Sequence, residues 1–268
     1  MTFNLGELTF IGLGLHDELG LSLRGQTVAR SCDVLFAEFY TSLMPGLNMS
    51  NLESIVGKKI CMLSREDVEE KAEETILREA RSRNVGFLVP GDPLVATTHV
   101  DLRLRAEKLG VTTRIIHAAS VISASAGASG LQSYKFGRTT TIPLTAGEFP
   151  LSVVNVIEAN LASGLHSLVL LEIDSENGQF VTIQAALKLL WMNSEKTSGK
   201  RIDGNTLVVG IARLEAPNMQ VKADRVSDIM KIDFGAPPYL LIFPGALHFV
   251  EAEALQLICQ APVESVSK

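Results

Sequence analysis

Three short stretches carry residues whose types and spacing suit ligand chemistry. The first is Gly12-Leu13-Gly14-Leu15, directly behind the apolar run Leu8–Leu13. Glycines at a strand exit let the backbone turn sharply and approach a ligand. A dinucleotide-binding turn would read GxGxxG, but Asp17 stands at the third glycine position. Glu38, at the end of the next apolar run, sits where a ribose-binding acid would. The glycine pair serves a plain tight turn equally well. The second stretch is Pro90-Gly91-Asp92-Pro93, behind Val85–Val89. Two prolines stiffen that loop, Gly91 can take positive φ, and Asp92 suits a cationic or hydroxyl-bearing ligand. An ordinary proline turn is the competing reading. The third is His117-Ala118-Ala119-Ser120, where Ser120 offers a hydroxyl and an N–H, or simply caps a helix. Lys135 and Arg138 flank Phe136-Gly137, and such a pair either holds an acidic partner or decorates a solvated loop.

The elements around these stretches alternate. Short apolar runs at Leu8–Leu13, Asp33–Glu38, Lys59–Leu63, Val85–Val89 and Thr113–His117 read as buried strands. Helices are expected between them, from Ser22 to about Ser31, from Ser64 to Asn84, and over Thr97–Lys108. Ser64 and Asp67 resemble a capping box, with acids in the first turn and Arg78, Arg81 and Arg83 near the end. This β/α alternation implies an α/β fold with a mainly parallel sheet covered on both faces. Pro45, Gly46 and Asn48 mark a looser stretch. The small-residue run Ala118–Gly130 reads as a closely packed helix or an inter-domain hinge, and the boundary is placed near 118–125. Beyond it, strands are expected near Thr139–Ile142, Ser167–Ile173, Thr206–Ala212 and Tyr239–Phe243. Helices are expected near Ser152–Ser163, Ile183–Met192 and His248–Cys259, with a surface loop over Asn193–Asn205. The expected domains are residues 1–120, with a mainly parallel sheet, and 121–268, with a mixed sheet. In open sheets of this kind, ligands bind outside the carboxyl ends of strands, where all three stretches fall.

Composition limits the chemistry further. At roughly 150 residues per domain, 268 residues allow one large or two small domains. Hydrophobic residues at 46% can build a sizeable core. A net charge of −6 with one Trp is poorly suited to wrapping nucleic acid, which needs a positive field and stacking surfaces. The apolar runs are strand-sized, well short of a membrane span. The N-terminus lacks the basic start and unbroken apolar middle of a secretory signal. Cys32, Cys61 and Cys259 are widely spaced and odd in number, so reduced intracellular thiols are expected. The five histidines show neither HxxxH nor HExxH spacing, which argues against a zinc site. GxxxxGK[ST] and GxSxG are both absent, disfavouring a P-loop kinase and an ordinary α/β-hydrolase.

The run Leu8-Thr9-Phe10-Ile11-Gly12-Leu13-Gly14-Leu15, together with Pro90-Gly91-Asp92-Pro93, resembles the tetrapyrrole methylase superfamily. Five longer stretches point within it to the diphthine synthase family. They are Phe36–Ser42 (FAEFYTS), Leu63–Glu69 (LSREDVE), Pro90–His99 (PGDPLVATTH), Tyr134–Gly137 (YKFG) and Leu247–Glu253 (LHFVEAE). The resemblance runs from the first strand to the last helix. It implies two α/β domains with S-adenosylmethionine folded into the cleft between them, and a cytoplasmic homodimer. It further implies methylation of the amino group of 2-(3-amino-3-carboxypropyl)histidine on translation elongation factor 2, a step of diphthamide synthesis. Carried over by motif, the cofactor contacts are Leu15, Asp92, Val95, Ser120, Val121, Leu171, Leu214 and Tyr239. Tyr239 departs from the family pattern, where Pro-Pro is usually followed by histidine. Methyl transfer from a sulfonium to a neutral amine needs no covalent intermediate, and no dedicated base stands out, so no catalytic side chain and no metal ligand are assigned. A methyltransferase acting on a corrin or porphyrin intermediate, a nicotinamide oxidoreductase, and a non-catalytic module binding a translation factor are the competing classes.

Overall fold

A computed structural model describes residues 6–144 and 148–266. The chain divides into two compact units, Met1–Val121 and Ile122–Lys268. The first unit runs β1 (Glu7–Gly12), α1 (Leu23–Ser31), β2 (Val34–Ala37), α2 (Met49–Val56), β3 (Cys61–Met62), α3 (Arg65–Glu69), α4 (Ile76–Ala80), β4 (Asn84–Val89), α5 (His99–Lys108) and β5 (Thr112–Ile116). Its sheet has the order β3-β2-β4-β1-β5, and every pairing is parallel. Alternate residues of each strand point to opposite faces. Leu8, Phe10, Val85 and Phe87 therefore join one apolar cluster, while Ile11, Leu35 and Leu88 join another. Near-continuous apolar strands are what a sheet covered on both faces requires.

Two expectations in this unit are corrected. The long helix from Ser64 to Asn84 is two short ones, although its capping box forms as expected: Ser64 Oγ accepts from Asp67 N–H, and Asp67 accepts from Ser64 N–H. Glu69–Glu73 and Glu70–Glu74 are like-charge i,i+4 pairs, which oppose a continuous helix. The Thr75 hydroxyl takes up the carbonyls of Asp67 and Lys71, while Arg105 binds Glu73 and the Glu69 carbonyl. The looser stretch around Asn48 instead leads into α2. Asn48 caps this helix by accepting from Asn51 N–H, and Gly57 ends it at φ +74°.

The second unit carries α6 (Val121–Ser129), which begins on the last residue of the first. It continues β6 (Thr140–Ile142), α7 (Leu151–Ala162), β7 (Ser167–Leu171), β8 (Ile173–Asp174), β9 (Gln179–Phe180), α8 (Ile183–Ser194), β10 (Leu207–Ala212), β11 (Gln220–Arg225), α9 (Val226–Ile229), β12 (Tyr239–Phe243), α10 (Phe249–Leu257) and α11 (Val263–Val266). Its main sheet has the order β11-β10-β12-β7-β6; only β6 and β7 pair in parallel, so the sheet is mixed. The small-residue run became the helix α6. The polar loop after α8 is tied inward: the buried Glu158 carboxylate accepts from the Ser194 and Thr197 hydroxyls and from Arg201 N–H.

The YKFG and LHFVEAE stretches meet in this unit. Glu251, fully buried, accepts from Lys135 Nζ, from His166 Nε2 at 2.9 Å, from Gln132 N–H at 2.9 Å and from His248 N–H at 2.8 Å. His166 Nδ1 accepts from Gly245 N–H, which fixes the ring as the Nε2–H tautomer. Burial pushes the Glu251 carboxyl up. Lys135, the two backbone N–H groups and His166 outweigh that and bring it down to about 2. Lys135 is thus committed to its own chain.

Candidate active site

The carboxyl ends of β4, β1 and β5 lie side by side, because β1 is flanked by the other two. Gly14 and Gly91 form an isolated bridge there: Gly14 N–H donates to Gly91 O at 3.3 Å, and Gly91 N–H to Gly14 O at 2.7 Å. Their φ values, +82° and +66°, favour glycine. A methyl group on Gly12 would meet Gly91 O at 2.6 Å and Ala118 Cβ at 2.7 Å. These glycines let three strand exits converge, and that convergence brings together the loops carrying Leu15, Asp92 and Ser120. Leu15 is half-buried, with its Cδ2 toward Gly91.

Asp92 is buried, and its carboxylate faces its own unit. Oδ2 accepts from His117 Nδ1 at 2.7 Å and from Ala118 N–H at 3.4 Å; Oδ1 accepts from Leu94 N–H at 3.5 Å. Val95 N–H closes a turn onto Asp92 O, and Ala96 follows at φ +55°. The Pro93 carbonyl accepts from Thr97 Oγ1 at 2.9 Å and from His99 Nδ1 at 3.0 Å. Ser120 and Val121, both half-buried, close this group at the start of α6.

His99 also joins the loop to the exit of β2. Its Nε2 lies 3.3 Å from Tyr40 Oη and 3.8 Å from Glu38 Oε1. Glu38 is fully buried and accepts from Thr41 N–H at 3.0 Å and Thr41 Oγ1 at 2.5 Å. Burial pushes the Glu38 carboxyl up to about 7 against those hydrogen bonds, and burial lowers His99. An acid so enclosed has no face to offer a ribose hydroxyl. Asp17 accepts from Leu19 N–H as a helix cap. The nicotinamide reading, already opposed by Asp17, thus loses the one acid it needed, Glu38.

In the second unit, Leu171 ends β7, Leu214 follows β10, and Tyr239 opens β12. The register pairs Ala212 with Tyr239 and Leu170 with Leu240, so these three residues cluster at one end of the sheet. Leu214 sits between two left-handed residues, Arg213 at φ +51° and Glu215 at φ +69°. Backbone strain of this kind costs on the order of 1–3 kcal/mol per residue and concentrates at ligand sites. The buried Arg213 guanidinium holds the turn through the carbonyls of Asn218, Phe234 and Ala236, and Arg213 N–H donates to Pro238 O at 2.8 Å. The Tyr239 hydroxyl donates to Gly235 O, and its ring packs near Phe180. That hydroxyl is therefore turned to its own chain.

The sequence reading missed the ring of His117 on Asp92 and the paired strain around Leu214. His117 ends an expected strand three residues before Ser120, a position that could have flagged it; nothing in the residue types around Leu214 announces left-handed backbone.

A model of the tetrapyrrole (corrin/porphyrin) methylases matches residues 7–228. The diphthine synthase of Methanosarcina barkeri is 45% identical over 265 residues, covering 96% of this chain and 97% of the relative. That of Methanothermobacter thermautotrophicus is 43% identical over 256 residues, covering 95% and 96%. The chain belongs to the diphthine synthase family. A crystal structure of a diphthine synthase superimposes with a TM-score of 0.88 at 36% identity, covering 97% of this chain and 99% of the other. A putative diphthine synthase from Entamoeba histolytica gives 0.85 at 32% identity, covering 94% and 98%.

S-adenosylmethionine, the cofactor of this family, fits the residues present. Leu15 and Val95 of the first unit are half-buried apolar side chains, the kind of surface an adenosyl group takes. The glycine-lined turn is tight, since a Cβ at Gly12 would collide with Gly91 O and Ala118 Cβ. Among the described residues, no group of three or more His, Cys, Asp or Glu side chains is arranged to hold a metal ion. No helix among them is long and apolar enough to cross a membrane.

Proposed function

We propose that this chain is a cytoplasmic, homodimeric S-adenosylmethionine-dependent methyltransferase that modifies the amino group of 2-(3-amino-3-carboxypropyl)histidine on translation elongation factor 2. The observation that carries this reading is identity of 42–45% to diphthine synthases along nearly the whole chain. Corrin or porphyrin substrates carry several carboxylates, and the net charge of −6 suits them poorly. We assign the cofactor to Leu15, Asp92, Val95, Ser120 and Val121 of the first unit, and to Leu171, Leu214 and Tyr239 of the second. The chemistry the cofactor supplies when bound is an electrophilic methyl on a sulfonium. The chain's own work is then to align and desolvate the reactants. Leu15 and Val95 exclude water, and the Gly14–Gly91 bridge fixes the floor. Asp92 places a negative charge at the strand exits, which favours a cation there. Tyr239 contributes through its backbone, since its hydroxyl is held by Gly235.

The test is mass spectrometry of elongation factor 2 carrying the aminocarboxypropyl histidine, incubated with the chain and S-adenosylmethionine. A gain of one or more methyl groups on that residue is expected. Association without mass change would favour a binding module, and thermal stabilisation by NAD but not by S-adenosylmethionine would overturn the reading.

A further inference from the structure

An amine attacks a methyl group only through a free lone pair, so an acceptor bound as an ammonium ion must first lose a proton. Acids and bases near the strand exits of the first unit include His16, Asp17, Glu38, Asp92, His99 and His117. Glu38 and His99 are sealed, with side chains at 0% exposure. His117 differs: its side chain is 73% exposed while its carboxylate partner, Asp92, is 9% exposed. The Asp92 carboxylate can only accept, so His117 Nδ1 carries the proton in that 2.7 Å contact. In the neutral ring the lone pair is then on Nε2. Ala118 N–H and Leu94 N–H hold the carboxylate from two further directions, so the ring is oriented by a fixed group. A buried acid that fixes the tautomer of an accessible imidazole is the arrangement a general base requires.

We infer that the Asp92–His117 pair is the proton acceptor of the methyl transfer, with His117 Nε2 receiving the proton of the acceptor's ammonium group. The inference rests on the functional reading above and deepens it. The proton passes from the ammonium nitrogen to Nε2. The freed lone pair forms the N–C bond to the methyl carbon as the C–S bond breaks, and that electron pair returns to sulfur, leaving S-adenosylhomocysteine and a methylated ammonium product. The imidazolium then gives its proton to solvent. Asp92 is the titratable group the structure pairs with the ring. Ala118, Ala119 and Ser120 on its own segment carry no charge, nor do Gly91, Pro93 and Leu94 on the facing loop. Ser120 and Val121, three and four residues on, are among the residues proposed for the cofactor, so this base shares their segment.

The experiment compares wild type with His117→Ala. Cofactor affinity is read by calorimetry without acceptor. Methyl transfer is followed with subsaturating acceptor from pH 6 to 9, with and without added imidazole. Wild type should show a shallow pH dependence. The variant should bind S-adenosylmethionine within about threefold of wild type and lose roughly 100-fold in rate near neutral pH. Its deficit should shrink about tenfold per pH unit as the acceptor deprotonates in solution, and imidazole should restore part of the rate. A rate ratio that stays constant across the range without imidazole rescue overturns the inference, as does an affinity that falls in step with the rate. A wild-type chain that binds cofactor yet transfers no methyl overturns the functional reading instead.

Discussion

Of the histidine–carboxylate pairs among the described residues, two make nearly equal contacts, 2.9 Å for His166–Glu251 and 2.7 Å for His117–Asp92. Their surroundings differ. Around Glu251 every partner is internal, both side chains of the pair are at 0% exposure, and the ring nitrogen away from the acid is bonded to Gly245 N–H. Around Asp92 the acid is enclosed, but the ring is not. The first arrangement spends both ring nitrogens on holding α10 and the turn before it to the start of β7. The second spends one and leaves the other for chemistry. Pair type and distance therefore do not distinguish a structural histidine from a reactive one; the fate of the second nitrogen does.

Glu251→Ala probes the closed pair and should have the largest effect, about 3–5 kcal/mol of unfolding free energy, because Lys135 and His166 lose a buried partner. Urea denaturation measures it; a loss below about 1 kcal/mol would erase the contrast. The same carboxyl gives an acid signature. Its folded value of about 2 lies below the ordinary value of 4.5, so its stabilisation is complete above pH 4.5 and disappears as pH falls toward 2.

Asp92→Ala probes the open pair and should leave the fold intact at a smaller stability cost than Glu251→Ala, about 1–3 kcal/mol. Losing a charge-assisted hydrogen bond costs about 1.5–3 kcal/mol, a drop of roughly 10- to 150-fold in S-adenosylmethionine affinity. Calorimetry decides it, and an unchanged dissociation constant removes Asp92 from the cofactor site.

Glu38 and His99 stand between these extremes, buried but 3.8 Å apart. The folded Glu38 carboxyl titrates near 7, above its ordinary 4.5, so it favours folding below pH 4.5 and loses that contribution as pH rises to 7. Glu38→Gln should remove that slope, a change of about 1–3 kcal/mol between pH 5 and 8 in thermal or urea melts. A slope that persists would place the titration elsewhere.

The smallest effect is expected from the thiols. Burial pushes Cys32 up to about 11 and Cys259 up to about 12, and Cys61 is exposed. Replacing all three with alanine should cost about 1 kcal/mol per buried site and leave turnover per folded molecule intact. An inactive, folded triple variant would mean that a thiol takes part in the transfer.

The strand pattern of the first unit was legible because sheets covered on both faces need short apolar runs, and Gly12, Gly14 and Gly91 punctuate them. The Ser64 cap was legible too, since it depends on two residues three apart. Where that helix stops was not, because acid repulsion competes with Thr75 and Arg105, and Arg105 comes from another element. Helix α2 was overlooked beside Pro45 and Gly46, although Asn48 and Gly57 are ordinary end signals. At the site, the loops were visible as motifs, but partners distant in sequence were not. His117 meets Asp92 across 25 positions, and Lys135 meets Glu251 across 116. Tyr239 could not be placed by type alone, since only the fold turns its hydroxyl to Gly235.

Strand order also sets a timetable for synthesis. β1 leaves the ribosome first, yet both of its neighbours come late: Glu7 pairs with Asn84 and with Thr112. The first sheet therefore has no central ladder until most of its unit has emerged. Such long-range parallel pairings close slowly, because loop entropy must be overcome before any contact rewards it. The second unit contains a strand pair of much shorter range, β10 with β11, in which Ala212 already faces Gln220. During translation the nascent first unit must thus wait 77 positions, from Glu7 to its first partner Asn84, with Leu8, Phe10 and Ile11 without a neighbouring strand. This is the period in which a chain of this topology depends most on chaperones to prevent aggregation.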